Sequence, residues 1–325
     1  MKTPTLILIA GLAAVSTSFA VDSHSPTSAQ RLSQPDFIQS FPVGREPYFL
    51  AFDGENIWVT NHLLDNTVTK LRASDGATLG TFAAGTFPAG ILFDSTNIWI
   101  ADYGPPGQVI KMQPSDGTIL GTFDTGGDGV PDRFAFDGEN IWVTNFDDLS
   151  GTVSKMRPSD GAVLGVYPTS DVQAHAILFD GTYIWVASDA ENSQMDKLRV
   201  SDGSIVFSVE IGSGAQQLAF DGKNIWVTLY LDSLVKAVKA SNGAIVGSFP
   251  LGYRPDGVAF DGTNIWVTDY WKNTVNILSD RNGGILHTFK EESWTGPGAM
   301  LFDGSSIWVA NYSANTVSKF KPVSP

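Results

Sequence analysis

From residue 37 onward the chain consists of short apolar runs separated by turns rich in glycine, aspartate and asparagine. The runs are rich in β-branched and aromatic residues, a composition that favours strands. Four successive runs are Gly257–Asp261, Asn264–Thr268, Thr274–Leu278 and Ile285–Phe289. Asp-Gly or related pairs between runs favour hairpin turns, because such turns need positive φ angles. The pattern predicts units of four short antiparallel strands, which we name a to d in chain order.

One motif marks every unit. It occupies Phe260–Asp269, and near-copies of it recur every 40 to 43 residues. The other copies begin at Phe52, Phe93, Phe136, Phe179, Phe220 and Phe302. Each copy carries a tryptophan at the same position of strand b: Trp58, Trp99, Trp142, Trp185, Trp226, Trp266 and Trp308. Seven four-stranded units at this period predict an all-β fold, a seven-bladed β-propeller with the aligned tryptophans buried between blades.

The two ends of the repeat array complement each other. The stretch Phe37–Gly44 matches Ile245–Gly252, which is the last strand of a later repeat. The final repeat ends at Val317–Phe320 and lacks that strand. We therefore predict that Phe37–Phe41 completes the last blade beside Thr316–Phe320 and so closes the ring.

The first residues have the composition of an export signal. Lys2 gives a positive start, Thr5–Val15 is apolar, and Ser18-Phe19-Ala20 fits a cleavage site. We predict a signal peptide over residues 1–20, a disordered leader over 21–36 and a single propeller domain over 37–325. The protein would then be periplasmic or extracellular. No other run is long enough for a membrane helix, so we expect no membrane span.

Charge and cysteine content narrow the range of partners. The chain has 34 acidic and 20 basic residues, and its net charge is −14. Loss of Lys2 with the signal would bring the charge to −15. A strongly acidic chain without a Lys/Arg cluster repels nucleic acid, and a chain without cysteine forms no disulfide or thiolate metal site. We expect a monomer that binds no nucleic acid.

Strand b carries a family resemblance. The stretches Trp58–Asn61 and Trp142–Asn145 read Trp-Val-Thr-Asn and resemble the Tyr-Val-Thr-Asn signature of YVTN-repeat β-propellers, with tryptophan in place of tyrosine. Asn66–Val68 and Asn273–Val275 also resemble that family, and the likeness covers Phe37–Phe320. The resemblance implies the fold and an exported bacterial protein, but no particular function.

The repeats resemble streptogramin B lyase more distantly. That resemblance would imply a lyase with His and Glu near a bound magnesium ion. The Glu-x-His pair it requires is absent from this sequence. Its catalytic residues therefore do not carry over.

Comparing the seven repeats with one another separates uniform from specialised positions. The a–b and c–d turns are uniform, whereas the opposite face, formed by the b–c and d–a loops, varies. We call it the loop face. Four residues before each strand-a phenylalanine stand Tyr48, Ala89, Asp132, His175, Gln216, Asp256 and Gly298. Strand b ends at Asn61, Asp102, Asn145, Ser188, Leu229, Asp269 and Asn311. The next positions hold His62, Tyr103, Phe146, Asp189, Tyr230, Tyr270 and Tyr312.

These loop-face positions predict a binding site. Two tryptophans outside the repeat pattern, Trp271 and Trp294, fall on the same face of adjacent blades. Planar rings, arginine and carboxylates suit a neutral or cationic polyol-like ligand, or a protein partner. The candidate binding residues are Asp102, Tyr103, Arg254, Asp256, Asp269, Tyr270, Trp271, Trp294 and Tyr312. Two alternatives remain open: Asn and Asp after strand b bond the following turn, or the two tryptophans cover the seam of the ring.

Catalysis and metal binding have weaker sequence support. A cysteine, a Gly-x-Ser-x-Gly elbow and a His-x-x-x-His pair are all absent from the sequence. His175 with Asp132 and Arg133 is the candidate for general-base chemistry. Asp124, Asp128 and Asp132 have calcium-type spacing in a glycine-rich loop, although a plain loop between blades is the simpler interpretation. We therefore predict no cofactor and no metal site, with calcium or magnesium as the alternative.

Three classes of function remain open from the sequence. The favoured one is a secreted, non-enzymatic propeller that binds a ligand or protein through its loop face. The second is a lyase or hydrolase that acts in the central depression. The third is a structural module associated with the cell envelope.

Overall fold

The computed structural model describes residues 36–147, 149–290, 293 and 295–322. These residues form 28 strands in seven sheets of four antiparallel strands, with one short 3-10 turn at Tyr312–Ala314. Across the described ranges, no helix has the length and apolar character needed to cross a bilayer. The predicted signal peptide and all but the last residue of the predicted leader lie outside the described residues.

The strands follow the predicted a-to-d order in each blade. Blades 1 to 3 contain β2 (Pro47–Phe52), β3 (Asn56–Asn61), β4 (Thr67–Arg72) and β5 (Thr78–Ala83); β6 (Pro88–Phe93), β7 (Ile98–Asp102), β8 (Gln108–Met112) and β9 (Ile119–Phe123); and β10 (Val130–Phe136), β11 (Ile141–Phe146), β12 (Gly151–Met156) and β13 (Val163–Pro168). Blades 4 to 6 contain β14 (Ala174–Phe179), β15 (Tyr183–Ser188), β16 (Ser193–Arg199) and β17 (Ile205–Gly212); β18 (Ala215–Phe220), β19 (Asn224–Leu229), β20 (Leu234–Lys239) and β21 (Ile245–Pro250); and β22 (Pro255–Phe260), β23 (Asn264–Asp269), β24 (Thr274–Ser279) and β25 (Ile285–Lys290). Blade 7 contains β26 (Pro297–Phe302), β27 (Ile307–Asn311), β28 (Thr316–Lys321) and the N-terminal β1 (Asp36–Pro42).

The seventh blade is completed by the first strand of the fold. Strand β1 runs antiparallel to β28, and Phe41 pairs with Val317 in its register. The Phe41 ring lies 5.7 Å from the Trp308 ring, and Phe37 lies 5.5 Å from Phe320. The predicted ring closure is confirmed, with the strand beginning one residue earlier than expected.

The aligned tryptophans are the centres of the interfaces between blades. All seven are among the largest fully buried side chains. Trp58 of blade 1, for example, packs among Ile91 and Ile98 of blade 2. In every blade the indole N–H donates to the aspartate of the a–b turn, as Trp142 does to Asp137 at 2.8 Å. The Asp-Gly turn therefore both reverses the chain and satisfies the buried indole.

A lysine on strand c links most blades to the next one at the turn end. Lys70 lies over the Trp58 ring and donates to the carbonyl oxygen of Pro114 in the neighbouring blade. The corresponding lysines make the same kind of bond: Lys111, Lys155, Lys197 and Lys319. Blades 5 and 6 have Ala237 and Ile277 at this position, opposite their tryptophans, so they lack this bond.

Candidate functional site

A funnel opens at the centre of the loop face. Its two adjoining parts have volumes of about 340 and 240 Å³. They share Tyr48, His62, Gln216 and Arg254 as lining residues, so they form one space. The seven positions predicted at the channel mouth all line it: Tyr48, Ala89, Asp132, His175, Gln216, Asp256 and Gly298.

A bulge in strand a positions these side chains. In blade 1 the pairing of β2 with β3 shifts between Pro47 and Leu50, so Tyr48 and Phe49 both line the funnel. The freed N–H of Phe49 donates to the hydroxyl of Thr60, whose own hydroxyl hydrogen bonds the next blade at Ala89. Thr144, Thr228 and Thr268 make the same two hydrogen bonds, one to the bulge of their own blade and one to the next blade. The threonine of the repeat motif thus stabilises the bulge that presents the site.

Two long side chains of strand a join blades that are not adjacent. The Arg133 guanidinium lies 3.7 Å from the centre of the Phe49 ring, two blades away. Gln217 likewise reaches blade 7, where its amide donates to the carbonyl of Met300 at 2.9 Å and accepts from the N–H of Met300 at 3.2 Å. The intervening blades carry Gly90 and Gly257, at which a Cβ would collide with the backbone of the neighbouring strand a. These glycines let the inner strands approach closely.

The predicted base candidate belongs to a buried network. The Nδ1 atom of His175 lies against Oδ2 of Asp132, and Nη2 of Arg133 lies 3.0 Å from Nε2 of His175. An arginine has only donors, so Nε2 accepts and the ring proton is on Nδ1, facing the carboxylate. The same Nη2 donates to the Tyr48 hydroxyl at 3.2 Å. Both ring nitrogens of His175 are therefore engaged.

The acids around the funnel have different pKa shifts. Burial opposes ionisation of Asp132, but His175 and Arg133 beside it hold its pKa below the usual value. Burial raises the pKa of Asp189 and of Asp256, and neighbouring positive groups only partly offset this. Opposite shifts within one cavity are typical of functional sites, where carboxylates are kept at some cost to folding stability.

We predict that Asp256→Asn raises the melting temperature at pH 7. A carboxyl with a raised folded pKa holds its proton more tightly when folded. Stability therefore falls as the pH rises from the unfolded value, about 3.8, through the folded value. Asparagine removes the cost of holding an ionised carboxylate at this site. The difference in melting temperature between the variant and the wild type should therefore shrink as the pH is lowered. Thermal unfolding between pH 4 and 8 tests this, and an equal or lower melting temperature for the variant at pH 7 contradicts it.

Aromatic rings surround Arg254 at the funnel rim. Its guanidinium carbon lies 4.8 Å from the Tyr230 ring, 5.0 Å from Tyr270 and 6.0 Å from Trp271. The Nε atom is buried without a hydrogen-bond partner, and no carboxylate of the described residues lies within ion-pair distance of this side chain. Trp271 itself is 65% exposed. Arg254 is thus a positioned cation with unused donors.

The adjoining part of the rim carries tyrosine and histidine, and Tyr312 links it to Tyr270 with ring centres 6.4 Å apart. His62 stacks on Tyr48 with ring centres 4.7 Å apart, and its Nδ1 bonds the carbonyl of Pro88. Burial lowers the pKa of His62, which favours the neutral ring at pH 7. Burial and the neighbouring Glu46 raise the pKa of Tyr312 to about 12. These groups present neutral hydrogen-bonding side chains to the funnel.

The structure separates the predicted binding residues into two groups. Five of the predicted residues line the funnel: Tyr103, Arg254, Asp256, Tyr270 and Tyr312. Asp102 is buried and accepts from the backbone N–H groups of Thr86, Phe87 and Gly104. Asp269 is also buried and bonds the N–H groups of Tyr253 and Lys272. These two aspartates hold loops, which supports the alternative that Asx residues after strand b cap turns. Trp294 lies outside the described residues.

The calcium-type spacing does not bring its three carboxylates together. Asp124 and Asp128 are exposed on the loop before β10, and Asp124 accepts from the N–H of Gly126. Asp132 is buried in the funnel network instead. Throughout the described part of the chain, no three His, Cys, Asp or Glu side chains are grouped to hold a metal ion. The calcium or magnesium alternative has no support from this geometry.

Several funnel residues were not among the predicted binding residues. Tyr48, His62, Gln216, Asp189 and Tyr230 all line it. Each occupies one of the three variable positions identified by aligning the repeats. The variable positions of the sequence therefore indicated these residues. The prediction favoured blades 6 and 7 instead, because two tryptophans outside the repeat pattern lie there.

Comparison with known proteins supports the fold. No family model matches the sequence, and no curated protein matches it. Among solved structures, the chain is similar to one described as Kuenenia stuttgartiensis hydrazine synthase, with a TM-score of 0.75 and 18% sequence identity. The match covers 89% of this chain and 100% of that chain. At this identity the similarity shows the architecture alone: the chain is a seven-bladed β-propeller, and the YVTN-repeat likeness stays a resemblance.

Proposed function

We propose that this protein is a non-enzymatic binding module that takes a small polar ligand into the funnel of its loop face. The observation that carries the proposal is Arg254, a guanidinium held by aromatic rings at the mouth of a cavity without a carboxylate partner among the described residues. A buried or half-buried polar group without a partner costs stability, so such a group is retained for something that binds it. Export through the predicted signal peptide is part of the proposal.

Rigid surroundings support binding. Funnel residues are fixed by bulges, by inter-blade threonine bonds and by the Arg133 and Gln217 crossings. A preorganised site loses little conformational entropy when a ligand enters. The aromatic rings around Arg254 add planar faces for a ligand.

The enzymatic alternative has less support. His175, Asp132, Arg133 and Asp256 do converge on one funnel, as a catalytic site would require. However, Arg133 occupies Nε2 of His175 and Asp132 faces Nδ1, so neither nitrogen is placed to take a proton from a substrate. The arrangement instead fixes Arg133 and, through it, the Tyr48 hydroxyl.

A ligand screen with matched variants tests the binding proposal. An unbiased glycan and metabolite screen by thermal shift, including polyols, is expected to yield a ligand that raises the melting temperature. Arg254→Ala and Trp271→Ala should weaken its binding by about 1–3 kcal/mol, the range for well-placed arginine and aromatic contacts.

The control is Lys223→Ala, an exposed residue in an a–b turn on the opposite face. It should leave binding unchanged. If Lys223→Ala loses binding while folded Arg254→Ala and Trp271→Ala bind normally, the site lies on the turn face and the proposed location is wrong.

A further inference from the structure

Tyr48 and Arg254 bring two different hydrogen-bond donors to the funnel. The Tyr48 oxygen accepts from Nη2 of Arg133, which has no acceptor to offer in return. The phenolic proton of Tyr48 is therefore left to donate into the cavity, and burial raises the pKa of this hydroxyl so that it stays protonated. Tyr48 and Arg254 line both parts of the funnel. A charged donor and a neutral donor that line the same cavity fit a carboxylate.

The smaller part of the funnel also presents a carboxylate, that of Asp189, among aromatic rings. One oxygen of Asp189 accepts from the Gln216 amide at 2.8 Å. Within the described residues, no protein donor bonds its second oxygen. Tyr103, Phe146 and Tyr230 line the same part of the funnel. Aromatic faces together with a carboxylate fit an organic ammonium group.

Charge and size restrict the ligand further. The arginines are Arg133 and Arg254, and the carboxylates are Asp132, Asp189 and Asp256. A polyanion would meet the carboxylates and a polycation would meet the arginines, so a ligand with both signs fits best. Ligand cavities span roughly 300–1,000 Å³; the larger part, about 340 Å³, lies at the lower end of that range, and the smaller part, about 240 Å³, lies below it. This space suits a ligand of amino-acid size.

We infer that the funnel binds a zwitterion of amino-acid size, with its carboxylate on Arg254 and Tyr48 and its ammonium group facing Asp189. This inference rests on the proposed function, because it names the ligand class of the same site. The presence of both ends in one funnel is what selects the class: neither end alone distinguishes a zwitterion from a simple anion or cation.

The test uses the full mature chain and defined probes. The twenty standard amino acids and glycine betaine are screened by thermal shift, and the best probe is measured by calorimetry. Its methyl ester, which lacks the carboxylate, and its N-acetyl form, which lacks the ammonium group, are measured beside it (for glycine betaine, tert-butylacetate replaces the N-acetyl form). Each derivative is expected to bind at least tenfold more weakly than the zwitterion, since each leaves a charged side chain without its partner.

Two variants assign the ends of the ligand. Arg254→Gln should weaken binding of the zwitterion at least tenfold. It should also abolish the preference for the free acid over the methyl ester. Asp189→Asn should abolish the preference for the free amine over the form without an ammonium group. Lys223→Gln, on the opposite face, should change neither. Melting temperatures of the unliganded variants show whether each is folded.

The outcomes separate this inference from the proposed function. If no zwitterion binds, or if the ester binds as well as the free acid, the ligand class is overturned. The binding function survives that result when a neutral polyol binds and Arg254→Ala weakens it. If Lys223→Gln weakens binding while folded Arg254→Gln binds normally, both the ligand class and the location of the site are overturned.

Discussion

A chain that begins at residue 43 should melt far below one that begins at residue 35. The longer chain keeps β1, whereas the shorter one loses its pairing with β28 and exposes the edge of blade 7. It also loses the packing of Phe41 on Trp308 and of Phe37 on Phe320. Burying one such ring contributes about 1.5–3 kcal/mol, so a fall in melting temperature on the order of 10 °C is expected.

The chain beginning at residue 35 is the matched control. It retains Asp36, the first residue of β1, and should melt like a chain that begins at residue 21, after the predicted signal peptide. Differential scanning calorimetry of the three chains measures the difference. Equal melting temperatures for the two truncated chains would mean that β1 does not hold the ring closed.

Replacing Trp142 by alanine should lower the free energy of unfolding by about 3–5 kcal/mol, as other buried large-to-small changes do. The ring is fully buried among residues of two blades, and its N–H satisfies Asp137. The variant therefore creates a cavity and leaves a partly buried carboxylate without one of its donors. Equilibrium unfolding in denaturant gives the difference.

Trp271→Ala provides the control for the loss of a large ring. This side chain is 65% exposed and contacts the Tyr270 ring edge-on. Its removal should cost less than about 0.5 kcal/mol, as for most surface substitutions. A cost below about 1 kcal/mol for Trp142→Ala would show that the aligned tryptophans do not hold neighbouring blades together.

Repetition is what made the fold predictable. Each unit of the sequence meets the same neighbours, so the period, the Asp-Gly turns and the aligned tryptophans all indicate one blade. Strands of blade 6, such as β24 at Thr274–Ser279, begin and end within two residues of their predicted bounds. The match between Phe37–Gly44 and a later strand d also predicted how the ring closes.

The sequence predicted the face of the propeller on which the candidate site lies, but not all of the residues that line it. Aligning the repeats identified variable positions, but it could not show which of them a bulge turns towards the axis. Asp102 and Asp256 illustrate this, because both are aspartates on the loop face. Asp102 accepts from the backbone of its own blade, whereas Asp256 lines the funnel. Contacts such as that of Arg133 with Phe49 span a whole blade, and no local pattern encodes them.

The missing lysines give blade 6 a distinct mechanical position. The lysine bond from blade 5 is absent at Ala237, and the bond from blade 6 is absent at Ile277. At its loop end, in contrast, blade 6 is bonded to both neighbours through Thr228 and Thr268. Blade 6 is thus hydrogen-bonded to both neighbours at its loop end, whereas at its turn end the packing of Trp226 and Trp266 holds it without a lysine bond. Because Arg254 lies at the loop end of this blade, the guanidinium at the funnel rim belongs to the end that is bonded on both sides.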